Sequence, residues 1–137
     1  MTEQPAVEDV IAVAAFRAAL RNFLRRSERV ARSSGLTPQR YGLLLMIKGA
    51  PGGDEKSTVT ELSERLQLAQ STVTELVRRA EEAGLIERTQ SQRDARVAHL
   101  RLTAEGERRL MLSFTELEIE RAQLRDAFAH LDETGSG

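Results

Sequence analysis

The segment spanning residues 69–101 constrains the fold most, because its pattern predicts a helix, a sharp stop and a two-stranded ribbon in that order. Apolar residues recur at three- and four-residue steps in its first part, as they do on the buried side of a helix. These residues are Val73, Leu76, Val77 and Ala80. Gly84 follows, where a helix C-terminus favours left-handed backbone. A first strand is expected from Leu85 and a second over residues 97–102, joined by a polar tip at residues 89–96.

A helix followed by a hairpin with arginines at its tip suits double-stranded DNA. The major groove admits a helix whose short polar side chains reach the edges of the bases. A hairpin tip can reach the adjacent minor groove, where narrow A·T-rich segments attract arginine. The segment therefore predicts a DNA-binding element.

Length and composition set the class of protein. The chain has 137 residues, which suffice for one domain with a modest core. It has no cysteine, which excludes disulfides, thiolate metal sites and cysteine redox sensing. No apolar run approaches the roughly 20 residues of a membrane span and no signal peptide is visible, so a soluble cytoplasmic protein is expected.

Charge is distributed unevenly along the chain, although the formal net charge is only -1. Residues 9–32 carry six Arg against two acids, and residues 103–137 carry four Arg against eight acids. We expect the acidic end to pair with the basic end, within one chain or across a dimer. The arginine row near the N-terminus has two interpretations: a solvated face, or a contact with acidic residues or DNA phosphate.

Turn and capping residues divide the rest of the chain into helices. A first helix is expected over about residues 9–32. Thr37 and Pro38 begin a second helix that runs to about Ile47, since Thr is a good N-cap and Pro is favoured at the first helical position. Turn residues at 49–57 predict a loop that lacks the pattern of a phosphate-binding loop.

A short helix and the polar-faced helix after it predict a helix-turn-helix, in which the first helix braces the second. Thr60 is expected to cap the short helix, which covers residues 61–66. Ala69 is a poor N-cap for the next helix, and capping by Ser71 would start that helix about two residues later.

The last predicted helix has the apolar seam of a helix that packs along another helix. With Thr103 as its N-cap it covers residues 104–131 and reaches roughly 40 Å. Its apolar residues follow a four-three heptad spacing, and Arg121 interrupts them. Both terminal helices are longer than a small winged domain can cover. We therefore expect them to pack together and across a two-fold dimer axis, with a monomeric helical hairpin as the alternative.

Four segments in this order make the chain resemble the MarR family of bacterial and archaeal transcription regulators. They are residues 36–41, residues 59–66, residues 71–77 followed by 82–88, and residues 93–96 running to 102–106. The resemblance covers nearly the whole chain, from about Val10 to Leu131. It implies a mainly α fold with a small β-wing: a winged helix-turn-helix with long N- and C-terminal dimerisation helices.

The sequence and the resemblance together give a division of the chain. Residues 1–8 and 132–137 would be flexible tails, and residues 9–131 a single domain, with dimerisation helices at 9–34 and 104–131 and the DNA-binding winged helix at 36–102. After Leu131 the chain departs from the family, so the usual final helix is expected to be missing or merged with the preceding one.

The resemblance assigns DNA contacts to two elements. The base-reading residues of the recognition helix would be Gln70, Ser71, Thr72, Thr74, Glu75 and Arg78. In the wing, Arg93 would enter the minor groove, Asp94 and Arg96 would form an ion pair that braces the wing, and Arg88 and Arg101 would lie near phosphate. Arg96 is counted among the wing's DNA contacts as well.

Other interpretations of these residues stay open. Arg78 and Arg79 would also serve the solubility of their helix, and Glu75 would either pair with one of them or read cytosine. The charge of Arg93 has the same alternative of a solvated surface residue.

By the same resemblance, the chain would act as a homodimer on a pseudo-palindromic operator, as a repressor that responds to a small-molecule effector and needs no cofactor. His99 and His130 lie on different elements, so neither a metal cluster nor a His-centred acid–base pair is evident, and no enzyme activity is expected. The alternatives are a winged helix used for protein–protein contact and a regulator of a neighbouring winged-helix family.

Overall fold

Six helices and one two-stranded antiparallel sheet make up the fold, in a computed structural model that describes residues 4–91, 93, 94 and 96–135. In chain order the elements are α1 (Val7–Ser33), α2 (Pro38–Lys48), α3 (Val59–Leu66), α4 (Gln70–Glu82), β1 (Ile86–Gln90), β2 (Ala98–Leu102), α5 (Ala104–Glu116) and α6 (Glu118–Gly135). This order confirms the predicted mainly α fold class with a β-wing.

The chain forms two compact units. One combines the residues up to 30 with those from 114 onward, and the other comprises residues 31–113. The sequence placed the winged part at 36–102, whereas this second unit also takes in the last turn of α1 and most of α5.

A continuous apolar core holds the second unit together. Its fully or almost fully buried side chains are Leu36, Leu43, Leu44, Ile47, Leu62, Val73, Val77, Ala80, Leu85, Ile86, Leu100 and Leu110. In α2, Leu43, Leu44 and Ile47 are buried, whereas Leu45 is only half-buried.

Capping residues fix the first helices of this unit. Thr37 caps α2 by accepting a hydrogen bond from the Arg40 backbone N–H, and Pro38 opens the helix, as predicted. For α3 the predicted cap, Thr60, is wrong. Thr58 is the N-cap: its hydroxyl accepts from the Glu61 N–H at 3.2 Å, and the Glu61 carboxylate accepts from the Thr58 N–H at 2.9 Å. This reciprocal capping box starts α3 two residues earlier than the sequence indicated.

Helix α4 begins at Gln70, so the prediction that Ser71 caps it is wrong. Ala69 is the N-cap and makes no side-chain hydrogen bond. Its carbonyl already accepts from the Val73 N–H at 3.1 Å, which leaves Ser71 inside the helix. At the other end Gly84 has φ +75°, as expected, and the Leu85 N–H donates to the Ala80 carbonyl at 3.0 Å. This closure turns the chain sharply into β1.

The wing is the antiparallel pair of β1 and β2, in which Ile86 lies opposite Leu102 and Thr89 opposite His99. Ser57 adds a third, single-residue pairing, because it exchanges two backbone hydrogen bonds with Leu100 on the other edge of β2. The loop before α3 is thereby joined to the wing. The sequence did not reveal this pairing.

The predicted single helix over residues 104–131 is wrong, because the chain breaks at Leu117 into α5 and α6. The Leu117 N–H bonds to the Phe114 carbonyl at 3.2 Å, which tightens the last turn of α5. The Arg121 guanidinium donates to that same carbonyl and lies 3.8 Å from the centroid of the Phe114 ring. The polar residue that interrupts the heptad spacing thus satisfies the end of α5. The final helix, expected to be missing or merged, is present as α6.

Helices α1 and α6 contact each other, as predicted for the two terminal helices. Phe16 and Phe128 meet edge to face with ring centroids 6.1 Å apart. Arg26 and Glu120 form an ion pair at 3.3 Å, which is the predicted pairing of the basic with the acidic end.

Helices α1 and α6 extend into the two segments for which flexible tails were predicted. Residues 7 and 8 belong to α1, and residues 132–135 belong to α6. Of the other tail residues, 4–6 precede α1, whereas 1–3, 136 and 137 lie outside the described part of the chain, as do Gln92 and Ala95 of the predicted polar tip.

Candidate nucleic-acid interface

Helix α4 has one buried and one exposed side. Val73, Val77 and Ala80 have no exposed surface, which anchors the helix in the core. The opposite side carries the predicted base-reading residues. Gln70, Ser71, Thr72, Thr74 and Arg78 are exposed and Glu75 is half-buried. These residues share one accessible surface, which we call the recognition face.

The turn between α3 and α4 is fixed by its own hydrogen bonds. Gln67 adopts left-handed backbone with φ +56°. The Ser63 hydroxyl donates to the Leu68 carbonyl at 2.5 Å, and the Gln70 amide donates to the Thr60 hydroxyl at 3.3 Å. These contacts hold the start of α4 against α3, so the recognition face has a defined direction relative to the rest of the unit.

An ion-pair network covers the second half of the recognition face. Glu75 accepts from Arg78 at 2.6 Å and from Arg79 at 3.0 Å, and Arg78 also reaches Glu82 at 2.5 Å. Hydrogen bonds from Arg78 and then Arg79 lower the pKa of the Glu75 carboxyl to about 2, so it is ionised at neutral pH. Of the two interpretations of Glu75, pairing with its arginines is the one present in this structure.

Backbone hydrogen bonds shape the tip of the wing. The Ser91 N–H donates to the Val97 carbonyl at 2.9 Å and closes the hairpin. The Ser91 hydroxyl accepts from the backbone N–H groups of Arg93 and Asp94, at 3.2 and 3.3 Å. The Arg93 side chain is exposed, and no acidic side chain within the described residues pairs with it.

The predicted ion pair beside the tip is present. Arg96 Nε lies 3.1 Å from Asp94 Oδ1, and the Arg96 backbone N–H donates to the same oxygen at 3.0 Å. The Arg96 side chain and then its backbone lower the pKa of the Asp94 carboxyl, which therefore stays ionised. That the pair braces the wing, and that Arg96 touches DNA, stay predictions.

The other two predicted wing residues, Arg88 and Arg101, lie on opposite faces of the ribbon. Side chains alternate along a strand, so Arg88 shares a face with the buried Ile86 and Leu100. Arg88 pairs with Glu81 of α4 at 2.9 Å. Arg101 lies on the other face, opposite Glu87.

Sequence reasoning missed two groups of residues around this surface. Arg65 of α3 donates to the Ser57 hydroxyl at 3.2 Å, to the Gly49 carbonyl at 3.4 Å and to the Met46 carbonyl, which ties the loop before α3 to the helices. Lys56 and His99 line a cleft beside the wing. A single-residue pairing such as that of Ser57 leaves no alternating pattern, so the sequence carried no signal for either group.

Two negative findings apply to the described residues. Within them, no three His, Cys, Asp or Glu side chains are grouped so that they could bind a metal ion. None of the helices in that part of the chain combines the length and the apolar character of a membrane span.

Comparisons with known proteins point to one family. Residues 34–97 match the model of the MarR family. The chain is similar to a MarR family transcription regulator of known structure, at 25% identity and TM-score 0.70, over 93% of this chain and 82% of that chain. No curated protein matches it by sequence.

Several of the similar structures contain DNA, among them the following two. FabT from Streptococcus pneumoniae, solved in complex with DNA, shares 27% identity at TM-score 0.58, over 66% of this chain and 61% of that chain. A mutant of MarR from E. coli, complexed with operator DNA, shares 19% identity at TM-score 0.68, over 85% of each chain. At 19% identity, the similarity to MarR from E. coli shows a shared fold only.

Proposed function

Since the chain belongs to the MarR family of transcription regulators, we propose that it binds double-stranded DNA sequence-specifically and thereby regulates transcription. The recognition face of α4 is the observation that carries this proposal. A helix with a fully buried apolar side and an accessible row of amide, hydroxyl and guanidinium groups can enter a major groove and hydrogen-bond to base edges.

The residues at the two ends of the recognition face differ in whether ion pairs hold their side chains. Gln70, Ser71, Thr72 and Thr74 are available for bases without first breaking an ion pair. Arg78 and Glu75 have to exchange their mutual contacts for contacts to DNA. We therefore assign most of the sequence preference to the first turn and a half of α4.

The wing supplies the second contact. Arg93 is exposed at the hairpin tip, where the Ser91 hydroxyl holds its backbone. An arginine in that position suits a narrow minor groove, whose negative potential attracts a cation. Arg101 adds a positive charge on the wing's outer face. Arg88 and Arg96 enter DNA only if they leave Glu81 and Asp94, so we give them the smaller share.

We further propose that the protein acts as a homodimer through its terminal helices. The unit formed by residues up to 30 and from 114 onward exposes an unusual number of large apolar side chains for a solvated surface. They are Val7, Val10, Ile11, Val13, Leu24, Phe114, Ile119 and Phe128. Sedimentation equilibrium should give twice the 15.2 kDa of one chain, and a mass of 15.2 kDa at micromolar concentration would contradict the dimer.

A two-fold dimer carries two recognition helices, so its operator is proposed to be pseudo-palindromic, with half-sites about 34 Å apart. Repression in the cytoplasm, relieved by a small-molecule effector, is the mode of regulation we propose. Such an effector acts only through its different affinity for the DNA-binding dimer and for a dimer with wrongly spaced helices.

The test begins with selection of binding sites from a random duplex library about 30 base pairs long, enough for two half-sites. Enrichment of a two-fold related sequence is expected, and failure to enrich any sequence would contradict the proposal. On the selected duplex, Arg93→Ala should weaken binding by about 1–3 kcal/mol. Arg108→Ala makes the same change of charge on α5 and is the matched control. Equal affinities of the two variants would remove Arg93 from the interface.

A further inference from the structure

A cleft of about 390 Å³ opens beside the wing. It is lined by Lys56, Thr89, Gln90, Ser91, Arg93 and His99. None of these side chains is acidic, and three of them are basic. Their arrangement is not explained by the contacts of the recognition face.

The backbone explains how residues so distant in sequence come together. Thr89 and His99 are register partners across the wing and therefore point to the same face. The two hydrogen bonds between Ser57 and Leu100 bring Lys56 to the other edge of β2. Arg65 holds Ser57 through its hydroxyl at 3.2 Å, so Lys56 extends from a fixed point rather than from a loose loop.

The basic residues of the cleft differ from their neighbours in having no acidic partner. On α4 and the inner face of the wing, Arg78 pairs with Glu75, and Arg88 with Glu81. Lys56, Arg93 and His99 make no ion pair within the described part of the chain. Lys56 and Arg93 are cations without a counter-charge and repel each other, so an anion in the cleft would relieve that repulsion.

We propose that this cleft is a phosphate site, and that it holds a backbone phosphodiester of the DNA whose bases α4 reads. The inference rests on the proposed function and adds Lys56 and His99 to the DNA-binding residues. Lys56 would donate from its ammonium group and His99 from a ring N–H. The Ser91 hydroxyl oxygen already accepts two backbone N–H groups, which leaves its own proton for the phosphate.

The position of Arg93 links the phosphate in the cleft to the DNA molecule that the hairpin tip contacts. Arg93 lines the cleft and also occupies the hairpin tip that the proposed function directs into a minor groove. A minor groove is only about 6 Å wide, so a side chain inside it lies close to the phosphates that flank the groove. Lys56 and His99, on the adjacent wall, are then in reach of one flanking strand.

Contacts to phosphate position a protein on DNA without reading its sequence. Loss of such a contact therefore weakens binding to every duplex equally. Each phosphate neutralised by a lysine contributes a slope of about -0.9 to log K against log salt, which corresponds to about eightfold affinity at 0.1 M salt. Lys56→Ala should therefore lower the affinity for the selected duplex and for a scrambled duplex by the same factor of about eight. It should also reduce the magnitude of the salt slope by about 0.9.

The experiment is fluorescence anisotropy of both duplexes across a salt series, with the full-length wild type, Lys56→Ala, His99→Ala and the double variant. Arg108→Ala, which removes a basic side chain from α5, is the control. Circular dichroism verifies that each variant is folded. Wild-type affinity and slope in the double variant would overturn the phosphate site while leaving the proposed function standing. A loss restricted to the selected duplex would overturn it as well, since it would indicate base reading.

Wild-type protein that binds neither duplex at low salt would refute the proposed function and the inference with it. A free anion is distinguished in a separate arm, in which inorganic phosphate is titrated at constant ionic strength and the His99 ring is observed by NMR. Saturable shifts together with unchanged DNA binding of the double variant would assign the cleft to free phosphate and overturn the DNA contact.

Discussion

Gly106 allows α5 to approach the start of the wing, and Gly106→Ala should therefore destabilise the protein. A Cβ at this position would lie 2.0 Å from the Leu85 carbonyl oxygen and 2.9 Å from its carbon. That carbonyl also accepts from the Thr103 N–H at 3.0 Å, and the Thr103 hydroxyl donates to the Gly84 carbonyl at 2.6 Å. Backbone lies on both sides of the gap, so no side chain can rotate away.

The expected magnitude follows from opposing contributions. Alanine favours a helix over glycine by about 1 kcal/mol. Separating α5 from Leu85 weakens the Thr103–Leu85 hydrogen bond, at a cost of about 1 kcal/mol, which cancels that gain. Overpacking against backbone costs about 1–3 kcal/mol. We expect a net loss of about 2 kcal/mol, which corresponds to about 8 °C in Tm for a chain of this size.

Urea unfolding followed by circular dichroism, at one fixed protein concentration, measures the difference. Gly52→Ala is the matched control, because no atom lies within 4 Å of the Cβ it would gain. That variant should stay within about 0.5 kcal/mol of the wild type. If Gly106→Ala were as stable as the wild type, or more stable, the close approach of α5 to Leu85 would be refuted.

Two further predictions concern single interactions. Thr58→Ala should lower the free energy of unfolding by about 1 kcal/mol, because the capping box is lost. Thr60→Ala should change it by less than about 0.5 kcal/mol. If urea unfolding showed the larger loss for Thr60→Ala, Thr60 and not Thr58 would be the N-cap of α3. Arg108 and then Arg109 lower the pKa of the Glu105 carboxyl from 4.5 to about 2. The stability from this carboxylate is present above pH 4.5 and is lost as the pH falls towards 2, so Glu105→Gln should flatten the acid limb of a stability–pH curve. An unchanged acid limb would contradict the ion pairs.

The elements that the sequence predicted correctly are those encoded by local patterns. The stripe of Val73, Val77 and Ala80 fixed both the existence and the orientation of α4. Gly84 marked its end, because a left-handed residue is needed there. The alternation over residues 97–102 gave β2 within one residue. Each of these signals lies within a few residues of the structure it determines.

The elements that the sequence did not predict depend on contacts through space or on two competing local signals. A heptad spacing is satisfied equally by one long helix or by two, and the break at Leu117 is stabilised by Arg121 contacting Phe114. Thr58 and Thr60 are both good caps, and Glu61 three residues after Thr58 is the signal that separates them. This capping-box pattern was readable in the sequence.

The candidate DNA contacts divide in the same way. The residue types and their exposure on α4 followed from helical periodicity, so the recognition face was predictable. The pairing of Glu75 with Arg78 and Arg79 was only one of two interpretations, because spacing permits a pair but does not require it. Lys56 could not be linked to the wing at all, since only the pairing of Ser57 with Leu100 brings it there.

Whether this chain recognises a DNA sequence is tested most directly by comparing the wild-type affinity for the selected duplex with that for a scrambled duplex at equal salt. We expect a preference for the selected duplex of about a thousandfold or more near physiological salt, with affinity for both duplexes falling steeply as salt rises. Equal affinity for the two duplexes over the whole salt range would contradict sequence-specific recognition, because the protein would then bind only the charge of the phosphate backbone.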